Sequence, residues 1–100
     1  MKTRRSRTAP QRVELGRYIV ADPHICHGKV TFRNTRVFVS DVLADIERGL
    51  SWDVITERWG QKITREALAE AIHLSRNALL AHDGTLAPEA AARAKLLAAA

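Results

Sequence analysis

The chain has 100 residues, 46% of them hydrophobic and 27% charged, with a formal net charge of +5 and a single cysteine. This length allows one small domain, and a domain of roughly 60 residues buries only about 60% of its extended-chain surface, so a second copy or a bound partner would help to stabilise it. No apolar run approaches the ~18 residues of a membrane-spanning helix, the basic N-terminus lacks the apolar region of a secretory signal, and a lone Cys26 forms no internal disulfide, which fits a reducing cytoplasm.

Residues 1–15 are polar and basic and read as a disordered arm. Lys2, Arg4, Arg5, Arg7, Arg12 and Arg17 are opposed only by Glu14, while the rest of the chain balances ten Lys/Arg with ten Asp/Glu. The whole positive excess therefore lies at one end. Such an arm suits a polyanion and can follow a phosphate backbone or enter a minor groove; the competing reading is a solvated tail that aids solubility.

Residues 16–82 carry the globular pattern. Tyr18, Ile19 and Val20 form a short β-prone run that stops at Asp22-Pro23. Lys29 to Phe32 and Arg36 to Val39 are two more, joined by Arg33-Asn34-Thr35, where asparagine tolerates the positive φ of a tight hairpin. Three short strands cannot stand alone. They must lie on helices or pair with another chain.

Helices follow. Ser40 is placed to cap a first helix with an apolar stripe of Val42, Leu43, Ile46 and Leu50, and Gly49 to end it in the left-handed conformation. Ser51 caps a second, with Trp52, Ile55 and Trp59 on one side and Gly60 at its end. Thr64 caps a longer third helix. Its stripe reads Leu68, Ala71, Ile72, Ser75 and Leu79, with Arg65, Ala69, His73 and Arg76 opposite. Helices joined by short glycine-containing turns are the commonest frame for presenting a helix to DNA. Beyond the break His82-Asp83-Gly84, residues 83–100 hold an alanine-rich helix opened by Pro88 and Glu89, which either docks on the domain or awaits a partner.

From Tyr18 to about Leu80 the chain resembles the family catalogued as domain of unknown function 433. The resemblance is carried by DPHICHGKVTFRNTRVFVSDVLADIERGLSWDVI and ITREALAEAI, in which Cys26, Gly28, Lys29, Thr35, Arg36, Val39, Gly49 and Thr64 match that family's ordered series. Asn34 stands where the family favours glycine, and the turn Gly60-Gln61-Lys62-Ile63 is about one residue longer than usual, which would aim the third helix differently. The resemblance implies a mainly α, homeodomain-like helix-turn-helix domain of three helices preceded by short strands. It also implies the antitoxin of a toxin–antitoxin pair, of the VapB type, whose partner is a small PIN-like ribonuclease toxin.

The residues themselves nominate five sites. Gln61, Lys62, Thr64 and Arg65 cluster where a recognition helix meets a groove, and Arg76 lies about three turns further on; arginine suits guanine, while lysine and threonine suit phosphate. The competing reading is an exposed helix of mixed charge, since Glu66 and Glu70 share it. His24, Cys26 and His27 are soft ligands but lack the fourth ligand and spacing of structural zinc, so a turn is the better account. Asp41 and Asp45 stand one turn apart, as a metal nuclease needs, yet read better as the polar side of the first helix. No nucleophile–base pair, phosphate loop or zinc-protease helix is present, so neither enzyme activity nor a cofactor is expected. The apolar β-prone residues Tyr18, Val20, Val30, Phe32, Val37 and Phe38 offer strand edges for a second copy or another protein, against the alternative that they close over the helices. Leu96 and Leu97 in the tail are placed for a partner groove, against an ordinary docked helix.

Together these readings point to a cytoplasmic, non-enzymatic antitoxin. It would dimerise, neutralise its toxin through the tail or a domain surface, and repress its operon through the third helix and the arm. The alternative is a small stand-alone DNA-binding regulator. Neither involves a membrane or a small-molecule substrate.

Overall fold

A computed structural model describes residues 11–99 of the chain. Its elements in order are β1 (Val13–Glu14), β2 (Ile19–Ala21), a 3-10 turn (Cys26–Gly28), β3 (Val30–Phe32), and the helices α1 (Val39–Glu47), α2 (Trp52–Arg58), α3 (Arg65–Leu79) and α4 (Pro88–Ala99). The strands form one antiparallel sheet in the order β1-β2-β3. Ile19 pairs with Phe32, Val20 with Thr31, and Val13 with Ala21.

Val13 and Glu14 were expected in a disordered arm, and instead they are a strand. The pairing is held from outside the sheet. Arg33 donates from Nε to the Arg17 carbonyl at 2.8 Å and from Nη2 to the Gly16 carbonyl at 3.1 Å and the Glu14 carboxylate. Glu70 of α3 accepts the backbone N–H groups of Arg17 and Tyr18 at 2.9 and 2.7 Å. These long-range bonds to one turn are invisible to a composition reading of residues 1–15.

The hairpin turn is where the sequence placed it. Asn34 takes φ 62° in place of glycine, and Phe32 N–H donates to the Val37 carbonyl at 3.1 Å. Its second arm is shorter than predicted, reduced to one bridge between Thr31 and Phe38. The chain then turns directly into α1, so the cap is Phe38, with no side-chain hydrogen bond, and Ser40 falls inside the helix. The hairpin sets the start of this helix, which overrides the local preference of serine for the cap.

The helix ends behave as local chemistry requires. Gly49 (φ 86°) donates to Ile46 and Leu50 to Asp45, and Gly60 (φ 68°) donates to Glu57 and Gln61 to Thr56. Each is the paired closure in which a left-handed residue satisfies the last carbonyls. Ser51 accepts the Val54 N–H and Thr64 the Ala67 N–H, caps worth about 1 kcal/mol each.

The three helices α1–α3 pack on one another, and β2 and β3 lie against α3 and α1. Ile19, Phe32, Val39, Val42, Ile55, Ile63, Ala67, Leu68 and Ala71 form the core, flanked by half-buried Trp52, Trp59 and Leu74. A large aliphatic or aromatic side chain buried this fully contributes about 1.5–3 kcal/mol. The expected stripe on the third helix is correct at Leu68 and Ala71, is half-buried at Ile72, and fails further along. Ser75 is exposed and Leu79 is 55% exposed, because α3 outruns the sheet and α1 that cover its first half.

Asp45 overturns the expectation of a polar, solvent-facing side on α1. It is 1% exposed, and its carboxylate accepts the Trp59 indole N–H at 3.0 Å and pairs with Arg58 at 3.1 Å and Arg48 at 2.5 Å. A buried carboxylate is tolerable only when its oxygens are occupied in this way.

Candidate functional site

Successive residues of a strand face opposite sides of the sheet, and here the two sides carry different surfaces. Val20 and Thr31 floor one groove, of about 440 Å³; Ile19 and Val30 line another, of about 640 Å³. The first is cationic and the second is apolar.

The cationic groove gathers Arg12 beside β1, Arg36 after the hairpin turn, and Lys62 in the turn before α3. Ile25, Asn34, Thr35 and Asp22 complete its walls. Arg36 and Lys62 are exposed and pair with none of the carboxylates among the described residues. Arg12 shares Glu14 at 2.9 Å with Arg33. The hydrogen bond from Arg33, and behind it the nearby Arg12 charge, hold the Glu14 carboxyl below its ordinary range. Thr35 is committed to the turn, donating to the Phe32 carbonyl and accepting the Val37 N–H.

The expected recognition cluster is split by the fold. Lys62 faces this groove, whereas Arg65 turns the other way into a recess with Ser51, Trp52 and Asp53. There its Nη1 meets Asp53 at 2.9 Å and its guanidinium lies 5.1 Å from the Trp52 ring centroid. Arg65 is therefore engaged in a solvent-exposed ion pair and stacked on Trp52, directed away from the cationic groove. The Thr64 hydroxyl is an acceptor at the helix cap. Gln61 is exposed at φ 63°, in the turn between α2 and α3. Arg76 is exposed in the last turn of α3. Arg4, Arg5 and Arg7 lie outside the described residues. Sequence reasoning missed Arg12 and Arg36 as partners of Lys62, because no local spacing links them.

The apolar groove runs between the sheet, α1 and α3, with Leu15, Val30, Leu43, Leu74 and Ala78 along it and Lys29 at its edge. Leu15 is 41% and Val30 37% exposed. Of the predicted partner-binding residues, Val30 belongs here. Phe32 does not, since it is buried in the core where its strand position turns it onto the helices. Tyr18 is half-buried against that core with its N–H on Glu70, and Phe38 is half-buried at the start of α1, 5.6 Å from Lys29 Nζ. Val20 and Val37 are likewise covered within the chain.

The tail is a docked helix at its root and a free one at its end. Ala87 is buried and donates to the Leu79 carbonyl at 2.8 Å, while Leu96 and Leu97 are 72% and 70% exposed. The break before it is closed by Asp83, which accepts the Thr85 hydroxyl at 2.7 Å and N–H at 3.1 Å. The hydroxyl bond lowers the Asp83 pKa.

The other two nominated sites come apart. Asp41 is exposed and Asp45 is buried and paired, so the two do not share a site. His24, Cys26 and His27 sit around the 3-10 turn, where Cys26, His27 and Gly28 all have positive φ. Among the described residues no three His, Cys, Asp or Glu side chains are arranged to hold a metal ion, and no helix is long and apolar enough to cross a membrane.

A family model described as a protein of unknown function, DUF433, matches residues 19–75, a span that begins in β2 and ends within α3. No curated protein and no solved structure matches the chain.

Proposed function

The chain belongs to the DUF433 family, and on that premise we propose that it is the antitoxin of a type II toxin–antitoxin module. In this reading it acts in the cytoplasm, is not an enzyme, binds and silences a PIN-like ribonuclease toxin, and represses its own operon as a homodimer on operator DNA. The helices α1–α3 serve as a homeodomain-like helix-turn-helix. One observation carries the proposal: the two faces of one small sheet offer a cationic groove and an apolar groove. An autoregulating antitoxin must engage a polyanion and a protein at once, and separate surfaces of opposite chemistry allow it. The cations at 12, 36 and 62 suit phosphate, and the aliphatic groove suits an amphipathic segment or a second copy.

The alternative, a DNA-binding regulator with no toxin, is favoured by one feature. That reading expects a free chain folded through its tail, and α4 is formed and rooted on α3 through Ala87. The test separates the two. The chain is purified from its native host in mild salt, and any stoichiometric protein is isolated and assayed for ribonuclease activity with and without added chain. Activity that the chain suppresses supports the antitoxin reading. A chain that shifts duplex DNA and carries no such protein supports the regulator, and one that does neither removes both.

A further inference from the structure

We infer that Arg36 and Lys62 form a two-point seat for the phosphodiester backbone of DNA, so that the hairpin turn touches the duplex beside the helix-turn-helix. The inference rests on the DNA-binding reading above and assigns where the backbone lies. Arg36 and Lys62 are 26 positions apart, yet they line one open groove of about 440 Å³ with Arg12 as its third cation.

Their state within the fold differs from that of the arginines tied into the helix junctions, and Arg76, equally without a carboxylate among the described residues, lies at the far end of α3 outside this groove. Arg48 and Arg58 are held by Asp45, Arg65 by Asp53, and Arg33 by Glu14 and two carbonyls. Arg36 and Lys62 have no carboxylate among the described residues. Two like charges left facing one groove repel each other, and an anion between them relieves the repulsion. Asn34, at the tip of the turn, and Thr35 put polar groups on the same wall. Asp22 also lines the groove, one carboxylate against three cations, and it accepts the His24 N–H at 2.9 Å rather than pairing with any of them. Groups of this type position a protein on the backbone and carry no base identity. Reading of bases is left to the exposed side of α3.

The test uses full-length chain and a random-sequence DNA duplex, followed by fluorescence anisotropy across a salt series. The variants are Arg36→Gln, Lys62→Gln and the double substitution, with Arg93→Gln on α4 as a control of equal charge change. Arg36, Lys62 and Arg93 are all exposed, so the fold should persist, which circular dichroism checks. Each single variant should lower the log–log salt slope by about 0.9, and the double by about twice that. Arg93→Gln should leave the slope unchanged. If the wild type binds duplex but Arg36→Gln and Lys62→Gln keep its slope, or Arg93→Gln loses as much, the seat is overturned while DNA binding stands. If the wild type binds no duplex, both fall. Inorganic phosphate and a polyglutamate peptide serve as competitors at matched ionic strength. Saturation by phosphate alone without duplex binding, or equal competition by polyglutamate, overturns the assignment to a nucleic-acid backbone.

Discussion

Asp45 and Trp59 are joined across α1 and the end of α2 by a 3.0 Å hydrogen bond from the indole N–H to a carboxylate that is almost wholly buried. The same carboxylate draws in Arg58 and Arg48, whose side chains are 51% and 55% exposed. Arg58 also lies 5.5 Å from the Trp59 ring centroid. One acid thus ties the first two helices together and fixes where the turn before α3 leaves them.

Removing that acid should therefore loosen the helix pair. Asp45→Ala leaves the partly buried indole N–H without its acceptor, while the two half-exposed arginines rehydrate, so the cost should be about 1–3 kcal/mol. Asp45→Asn keeps an acceptor for Trp59 and loses only the charge, and should cost about half as much. Urea denaturation of both variants measures the difference; equal stability of Asp45→Ala and wild type would dismiss the node.

The contact between Glu70 and the β1–β2 turn makes a second prediction. A Cβ on Gly16 would lie 2.5 Å from the Glu70 carboxyl carbon, which is pinned by two N–H bonds and cannot yield without losing them. Gly16→Ala and Glu70→Ala should each destabilise by about 1–2 kcal/mol. The double variant should cost less than the two losses added, since both break one contact. A double-mutant cycle by thermal melting reports the coupling.

Acid should weaken the β1 edge before it unfolds the helices. The Arg33 hydrogen bond lowers the Glu14 pKa in the folded chain. A carboxyl with a lowered folded pKa adds stability above its unfolded pKa and loses it as the pH falls through the folded value. The wild type should therefore exceed Glu14→Gln in stability near neutral pH, and the gap should close at pH below the ordinary carboxylate range. Amide exchange at Val13–Ala21 across that range checks it; a gap that widens in acid would contradict the sign.

The two partner surfaces should separate by substitution. Val30→Glu places a charge in the apolar groove at an exposed position, and should abolish self-association or toxin capture with the salt slope for DNA intact. Replacing Leu96 and Leu97 by serine should change the unfolding free energy by no more than a surface substitution does, about 0.5 kcal/mol, and should impair toxin capture alone. Sedimentation velocity and pull-down with the identified partner distinguish these outcomes.

Much of the helical frame was readable from the chain. Ser51, Thr64, Gly49, Gly60 and Asn34 act through bonds to residues within a few positions, or through their own φ, so their meaning is local. Asp45 gave one hint, standing three residues after buried Val42 and so on the same helical face, but its polarity argued against burial. Alternation along the strands said that Ile19 and Val20, or Val30 and Thr31, face opposite ways. It could not say which side meets the helices, nor that Val30 and Phe32, which share one face, would end one on a groove and the other in the core; packing along the strand decided that. The grouping of Arg12, Arg36 and Lys62, and the diversion of Arg65 to Asp53, depended wholly on packing. Charge interactions act through space over several ångströms irrespective of order along the chain, so only the closed fold reveals which cations share an acid and which stand without one among the described residues.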